Sequence, residues 1–161
     1  MSFAPLKLEE RRRVAIRLAG IADAALKLGT RRQVVLVSTY ANGPMTGICR
    51  IEPPQPGPAA SKEEQFAHLC VTLAGRAAQE VICGVTQPLP RRDEARARQT
   101  ARILCARYAA GDSPEEVMDA AYSFVKKFMD EQRAVVLKLA EELMRKGELQ
   151  GDEVERLVKE A

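Results

Sequence analysis

A single histidine, His68, and four cysteines, Cys49, Cys70, Cys83 and Cys105, are the side chains of this sequence best suited to hold a metal or attack a substrate. Two chemistries would use them. A tetrahedral zinc site draws on closely spaced His and Cys pairs, and none of the cysteines forms a C-x-x-C with another. A thiol nucleophile needs a base facing it, and His68 and Cys70 are two positions apart in a segment of helical periodicity, so their side chains diverge. The thiols therefore read as small buried hydrophobes in a reducing compartment. A hydrolase rebuilt on Cys70 or Cys83 with His68 stands as an alternative.

Guanidinium groups offer a third chemistry. Arg11, Arg12 and Arg13 form one cluster, and Arg91, Arg92, Arg96, Arg98, Arg102 and Arg107 another, which could follow a phosphate backbone. Acidic residues interrupt both runs, the net charge is only +3, and aromatic residues for base stacking are few at 4%. A solvated helix face is the expectation. Nucleic-acid binding through the face between Arg91 and Arg107 is a further alternative, and electrostatic docking to an acidic protein is another use of the same charges.

The elements that must position these side chains are marked by proline and glycine. Residues 8–28 place Val14, Leu18, Ile21, Ala22, Ala25 and Leu26 on one helical stripe, with Gly29 as the stop. "QVVLVSTY" from Gln33 and "TGICRIE" from Thr46 read as two strands joined by the turn "ANGP". "EPPQPGPAA" has too many prolines for a helix or an inner strand. Ser61 and Glu64 have capping-box spacing and open a helix carrying Phe66, Leu69, Cys70, Leu73, Ala77 and Val81 inward to Gly84. Another helix runs from Asp93 to Gly111. Ser113, Pro114 and Glu116 open the longest, predicted to continue to Lys146, and "DEVERLVKEA" closes the chain. The expected fold class is mainly α, with five helices and a small two-stranded β-ribbon.

With 161 residues, 46% apolar and 29% charged, the chain suits one soluble domain, residues 1–161. Its apolar runs are too short for a transmembrane segment, and the charged start "MSFAPLKLEERRR" lacks the apolar core of a secretory signal. The expected location is cytoplasmic.

In this order the elements resemble the peptidase domain of the FtsH family of AAA+ zinc proteases. "LAGRAAQEVICG", residues 73–84, is similar to that family's L-x-G-R-A-A-E-E-hydrophobic-x-x-G helix. "RRDEARARQTARILCARY" resembles the helix that follows it, and "GELQGDEVERLV" resembles the closing segment. The resemblance runs from about Leu8 to the C-terminus and implies a helical array with a β-ribbon. It also implies a peptidase-like domain without an AAA+ ATPase module, because no G-x-x-x-x-G-K-[ST] loop is present.

The family's first helix carries H-E-x-x-H, in which two histidines one turn apart hold zinc and the glutamate polarises a metal-bound water. The resemblance aligns "VAIRLAGIADAA" with it, placing Arg17 at the first histidine, Leu18 at the glutamate and Ile21 at the second histidine. A guanidinium only donates, and Leu and Ile offer neither a lone pair nor a proton acceptor. Asp93 matches the third zinc ligand but is insufficient alone. The resemblance therefore implies a pseudoprotease with no metal, cofactor or catalytic residues. An Arg17–Asp93 ion pair is expected in place of the metal. A peptide-binding edge strand of Thr46, Gly47, Ile48, Cys49, Arg50 and Ile51 is also expected. The partner would be a protein or extended peptide, an active FtsH-family relative, or a second copy of the chain.

Overall fold

Helix α1 (Leu8–Lys27) runs through the middle of the domain, and the composition of its centre explains why. Ala15, Ile16, Leu18, Ala19, Ala22, Ala24 and Ala25 are all buried, so the helix can be covered on most sides. Helices α2 (Lys62–Ala78) and α5 (Arg133–Lys146) pack on it, as do strands β1 (Gln33–Asn42) and β2 (Met45–Glu52). Around this centre lie α3 (Arg91–Tyr108), α4 (Pro114–Glu131), β3 (Glu148–Gln150) and α6 (Gly151–Glu160). The computed structural model describes residues 7–28, 33–42, 45–57 and 59–161; the expected Gly29 stop and part of the "ANGP" turn lie outside them.

The fold is mainly α, as expected, with corrections. The β-ribbon has three strands, not two, in the order β2-β1-β3. Strand β3 pairs antiparallel with β1 through Leu36↔Gln150, Val37↔Leu149 and Ser38↔Glu148. Three residues are too few to show a period of two, and their partner lies more than a hundred residues away. The long helix is in fact two, interrupted at Gln132 with φ −95° and ψ 11°. No Gly or Pro marks the break, and the hydrogen bonds Gln132 N to Phe128 O and Val136 N to Gln132 O, both 2.9 Å, carry the ladder across it. The apolar spacing continues through it, which is why the sequence reads as one helix. Helix α3 begins at Arg91, not at Asp93, and ends before Gly111, where Ala109 takes the left-handed conformation at φ 49°.

The caps behave as their chemistry requires. The Ser61 hydroxyl accepts from Glu64 N at 3.1 Å and the Ser113 hydroxyl from Glu116 N at 3.2 Å, each meeting an amide with no helical partner. Glu116 reaches back to Asp112 N at 3.1 Å, one residue beyond the cap. Helix α2 ends in a π-helical turn (Gln79–Cys83) closed by Gly84 at φ 68°.

Helices α1 and α2 meet at small residues. A Cβ on Gly20 would lie 2.5 Å from Ala78 Cβ, and one on Gly75 would lie 2.7 Å from Arg17 Cγ and 3.0 Å from Ile21 Cδ1. Glycine at both positions brings the two backbones together and lays the Arg17 stem across α2. The seam thereby sets the height at which the Arg17 guanidinium leaves the core.

Candidate functional site

The polar residues of "LAGRAAQEVICG" turn out to serve helix packing. Gln79 Nε2 donates to Arg13 O at 3.1 Å, tying the π-helical turn to α1. Glu80 accepts a hydrogen bond from the Tyr122 hydroxyl, and Arg76 stacks 4.9 Å over the Tyr122 ring, joining α2 to α4. The first contact ties the end of α2 to α1, and the other two tie it to α4.

Two adjoining clefts open where the N-terminus of α3 meets α1 and α2. The first, about 470 Å³, is lined by Glu10, Arg13, Arg76, Gln79 and the segment leading into α3. The second, about 480 Å³, is lined by β2 on one side and by His68, Val71, Arg92 and Arg96 on the other. Arg17, Ile21, Thr72, Pro90 and Asp93 line both. The structure thus brings Arg17, Leu18, Ile21 and Asp93 to one place, although Asp93 lies some seventy positions from the others in the sequence.

Arg17 is the half-buried cation common to both clefts. Burial lowers its pKa, while the negative charge of Asp93 and the proximity of Cys49 oppose that shift. A guanidinium remains protonated regardless, so the site keeps a fixed positive charge. Leu18 is fully buried beneath β2, where a Cβ on Gly47, at φ 84°, would meet its Cδ1 at 2.7 Å. Glycine at position 47 lets the strand pass directly over the leucine. Ile21 is half-buried against Gly75.

This donor set does not fit zinc. Arg17, Leu18 and Ile21 contribute no lone pair, leaving Asp93 as the only matched ligand. Among the described residues no group of three or more His, Cys, Asp or Glu side chains is placed to hold a metal ion. No hydrolytic step can be routed through a metal at these residues.

Burial disfavours the thiolate form at Cys49, Cys70 and Cys83. Burial pushes Cys49 up to about 12 despite the nearby Arg17, and pushes Cys70 up to about 12 as well. Cys83 is also raised by burial, with Arg12 and Arg13 opposing. His68 lines the second cleft, whereas Cys70 lines a separate apolar hollow of about 280 Å³ with Phe66, Leu104 and Phe124. The two side chains diverge as their helical spacing requires.

Strand β2 occupies the outer position of the sheet, so its second edge has no strand partner among the described residues. Gly47, Ile48, Cys49, Arg50 and Ile51 line the second cleft, while Thr46 pairs its backbone with Ala41. The arginine run does not form one basic face. Arg98 pairs with Glu94 at 3.7 Å and Glu115 at 2.6 Å, while Arg92 and Arg96 line the cleft. Sequence reading missed Arg96, Thr72 and His68 as cleft residues; the four-residue spacing of Arg92 and Arg96, beside Asp93, was the available signal.

No protein-family model matches the chain. It is similar to the ATP-dependent zinc metalloprotease FtsH 2 of Symbiobacterium thermophilum, with 26% identity over 181 aligned positions covering 95% of this chain. The chain spans 31% of the length of that relative. Among the described residues, no helix is long and apolar enough to cross a membrane.

Proposed function

We propose that this chain is a metalloprotease-like domain that has lost hydrolysis and acts as a protein- or peptide-binding module at the cleft between α1, α3 and β2. One observation carries the reading: the edge of β2, which has no strand partner among the described residues, lines the same cleft as Arg17, Leu18 and Ile21, whose side chains offer no donor to zinc. An extended segment can add to such an edge by backbone hydrogen bonds, a mode that needs no catalytic group. The 26% identity to the metalloprotease supports the ancestry of the scaffold, but fold does not fix function.

In this reading Arg17 and Asp93 form an ion pair that occupies the place of the metal. The opposing charge of Asp93 on Arg17 supports it, as does the cleft they share. A half-buried guanidinium is far less costly beside a carboxylate than alone. The setting is cytoplasmic, and the partner is another protein, an active metalloprotease relative or a second copy of this chain. A hydrolase built on Cys70 or Cys83 is disfavoured because burial raises both thiols, Cys70 to about 12.

The test is elemental analysis of purified, untagged protein together with casein degradation, each with and without added zinc. The expected result is metal-free, inert protein. Stoichiometric zinc or zinc-dependent cleavage would overturn the reading. A variant carrying Arg17→His and Ile21→His is expected to gain zinc binding, because two imidazoles one turn apart would then face Asp93. Failure of that variant to bind zinc would show that the three positions do not form a former metal site.

A further inference from the structure

The chemical class of the ligand follows from the charges lining the second cleft, and this inference rests on the binding reading above. Arg17, Arg50, Arg92 and Arg96 line it against a single carboxylate, Asp93. Arg50 is already engaged along its own strand, 3.0 Å from Glu52. Arg92 and Arg96 are different. Elsewhere on the surface Arg98, Arg133, Arg145 and Arg156 each have an acidic partner. Arg92 and Arg96 make no side-chain hydrogen bond or ion pair among the described residues.

These two guanidinium groups stand one turn apart on α3, so they present neighbouring positive charges on one helix face. The opposite wall is β2, whose outer edge has no strand partner among the described residues. Ile48 is exposed on that strand, leaving an apolar contact for an added segment. A volume of about 480 Å³ takes a short extended stretch rather than a folded surface. No Phe, Tyr or Trp lines the cleft, so nucleic-acid bases would find no stacking surface there.

We propose that the cleft selects an acidic extended peptide. The segment pairs with β2 through its backbone and presents side-chain carboxylates to Arg92 and Arg96, with the positive charge of Arg17 lining the same space. Carboxylates meeting paired guanidinium groups form charge-assisted, geometrically specific contacts. Backbone pairing supplies affinity, and the arginines supply the preference for acidic side chains.

The test is fluorescence-anisotropy titration of the full chain with short, labelled, β-branched peptides with amidated C-termini, carrying Asp, Asn or Lys at alternate positions. The Asp peptide is expected to bind about tenfold tighter than the Asn peptide, and the Lys peptide more weakly than either. Arg92→Gln with Arg96→Gln is expected to bring the Asp peptide down to the affinity of the Asn peptide. Equal binding of the Asp and Asn peptides by the native chain would overturn the acidic preference and leave the peptide-binding reading standing. No binding of any peptide would overturn both. Asp peptides N-methylated at odd or at even positions test the strand addition, since one of the two must lose binding; full binding by both overturns pairing with β2. An oligothymidylate that binds more tightly than the Asp peptide, and is lost in the same double variant, overturns a peptide as the ligand.

Discussion

Arg17 and Asp23 lie six residues apart on the same helix, and each is a charged group drawn out of water, yet the structure treats them in opposite ways. Arg17 extends past Gly75 to a cleft, where an aspartate opposes the loss of hydration. Asp23 is fully buried, with Lys27 Nζ 3.5 Å from its Oδ1, and neither oxygen accepts a well-formed hydrogen bond among the described residues. Burial pushes the Asp23 carboxyl up to about 6, with Lys27 opposing. Lys27 also donates to the Gln132 side chain at the break between α4 and α5. A guanidinium too basic to lose its proton must be given an outlet or a partner, whereas a carboxyl can respond to burial by keeping its proton. One end of the pair makes a permanent charge for a binding cleft; the other makes a pH-dependent term in stability.

The largest test of this contrast concerns Asp23. A carboxyl with a folded-state pKa of about 6 and an ordinary value of 3.8 holds its proton longer in the folded chain than in the unfolded one. Its contribution to stability is therefore full below the ordinary value, falls as pH rises from about 4 to about 6, and is level above that. The difference amounts to roughly 3 kcal/mol. Asp23→Asn is expected to be more stable than the native chain near neutral pH and to lose this slope, measured by urea denaturation at a series of pH values. Greater destabilisation of the variant at neutral than at acidic pH would show that the ion pair with Lys27 outweighs the burial.

The seam between the two charges comes next. Gly20→Ala would drive a methyl group onto Ala78 Cβ, which is fixed to a helix backbone, and is expected to destabilise by about 2 kcal/mol. Gly75→Ala meets the flexible stem of Arg17 and should cost less, while displacing the guanidinium and weakening peptide binding. A larger stability loss for Gly75→Ala than for Gly20→Ala, in the same denaturation assay, would reverse this assignment.

The smallest expected effect sharpens the Arg17 side. A double-mutant cycle of Arg17→Met, which keeps the stem, and Asp93→Asn is expected to give a coupling of about 1 kcal/mol near neutral pH. A coupling near zero would mean that the two charges share the cleft without forming a pair.

Much of the fold was legible because local chemistry dictated it. Ser61, Ser113 and Pro114 mark helix starts by satisfying or lacking an amide, and Gly84 and Gly147 end helices by tolerating a positive φ. The break at Gln132 was invisible, because it comes from α4 packing on α2 and α3 while α5 packs on α1, with no residue whose own conformation demands it. Strand β3 was invisible because three residues carry no pattern without their partner in β1. At the site, the side-chain types of Arg17, Leu18, Ile21 and Asp93 were legible, while their meeting in one cleft with Arg96, Thr72 and His68 came only through the approach of α3 and α2 to β2.

The sequence by itself determined which atoms are on offer: a guanidinium and two hydrocarbon side chains at Arg17, Leu18 and Ile21, one carboxylate at Asp93, and helix ends placed by caps and glycines. Those properties belong to single side chains or to a few neighbours, so they hold wherever the chain goes. Only the tertiary structure decided that Asp23 is sealed in the core while Arg17 reaches a cleft, and that one wall of the cleft is a strand edge and the other carries two arginines, none of them with a partner among the described residues. Burial and charge separation depend on elements far apart in the chain, and no local pattern encodes them.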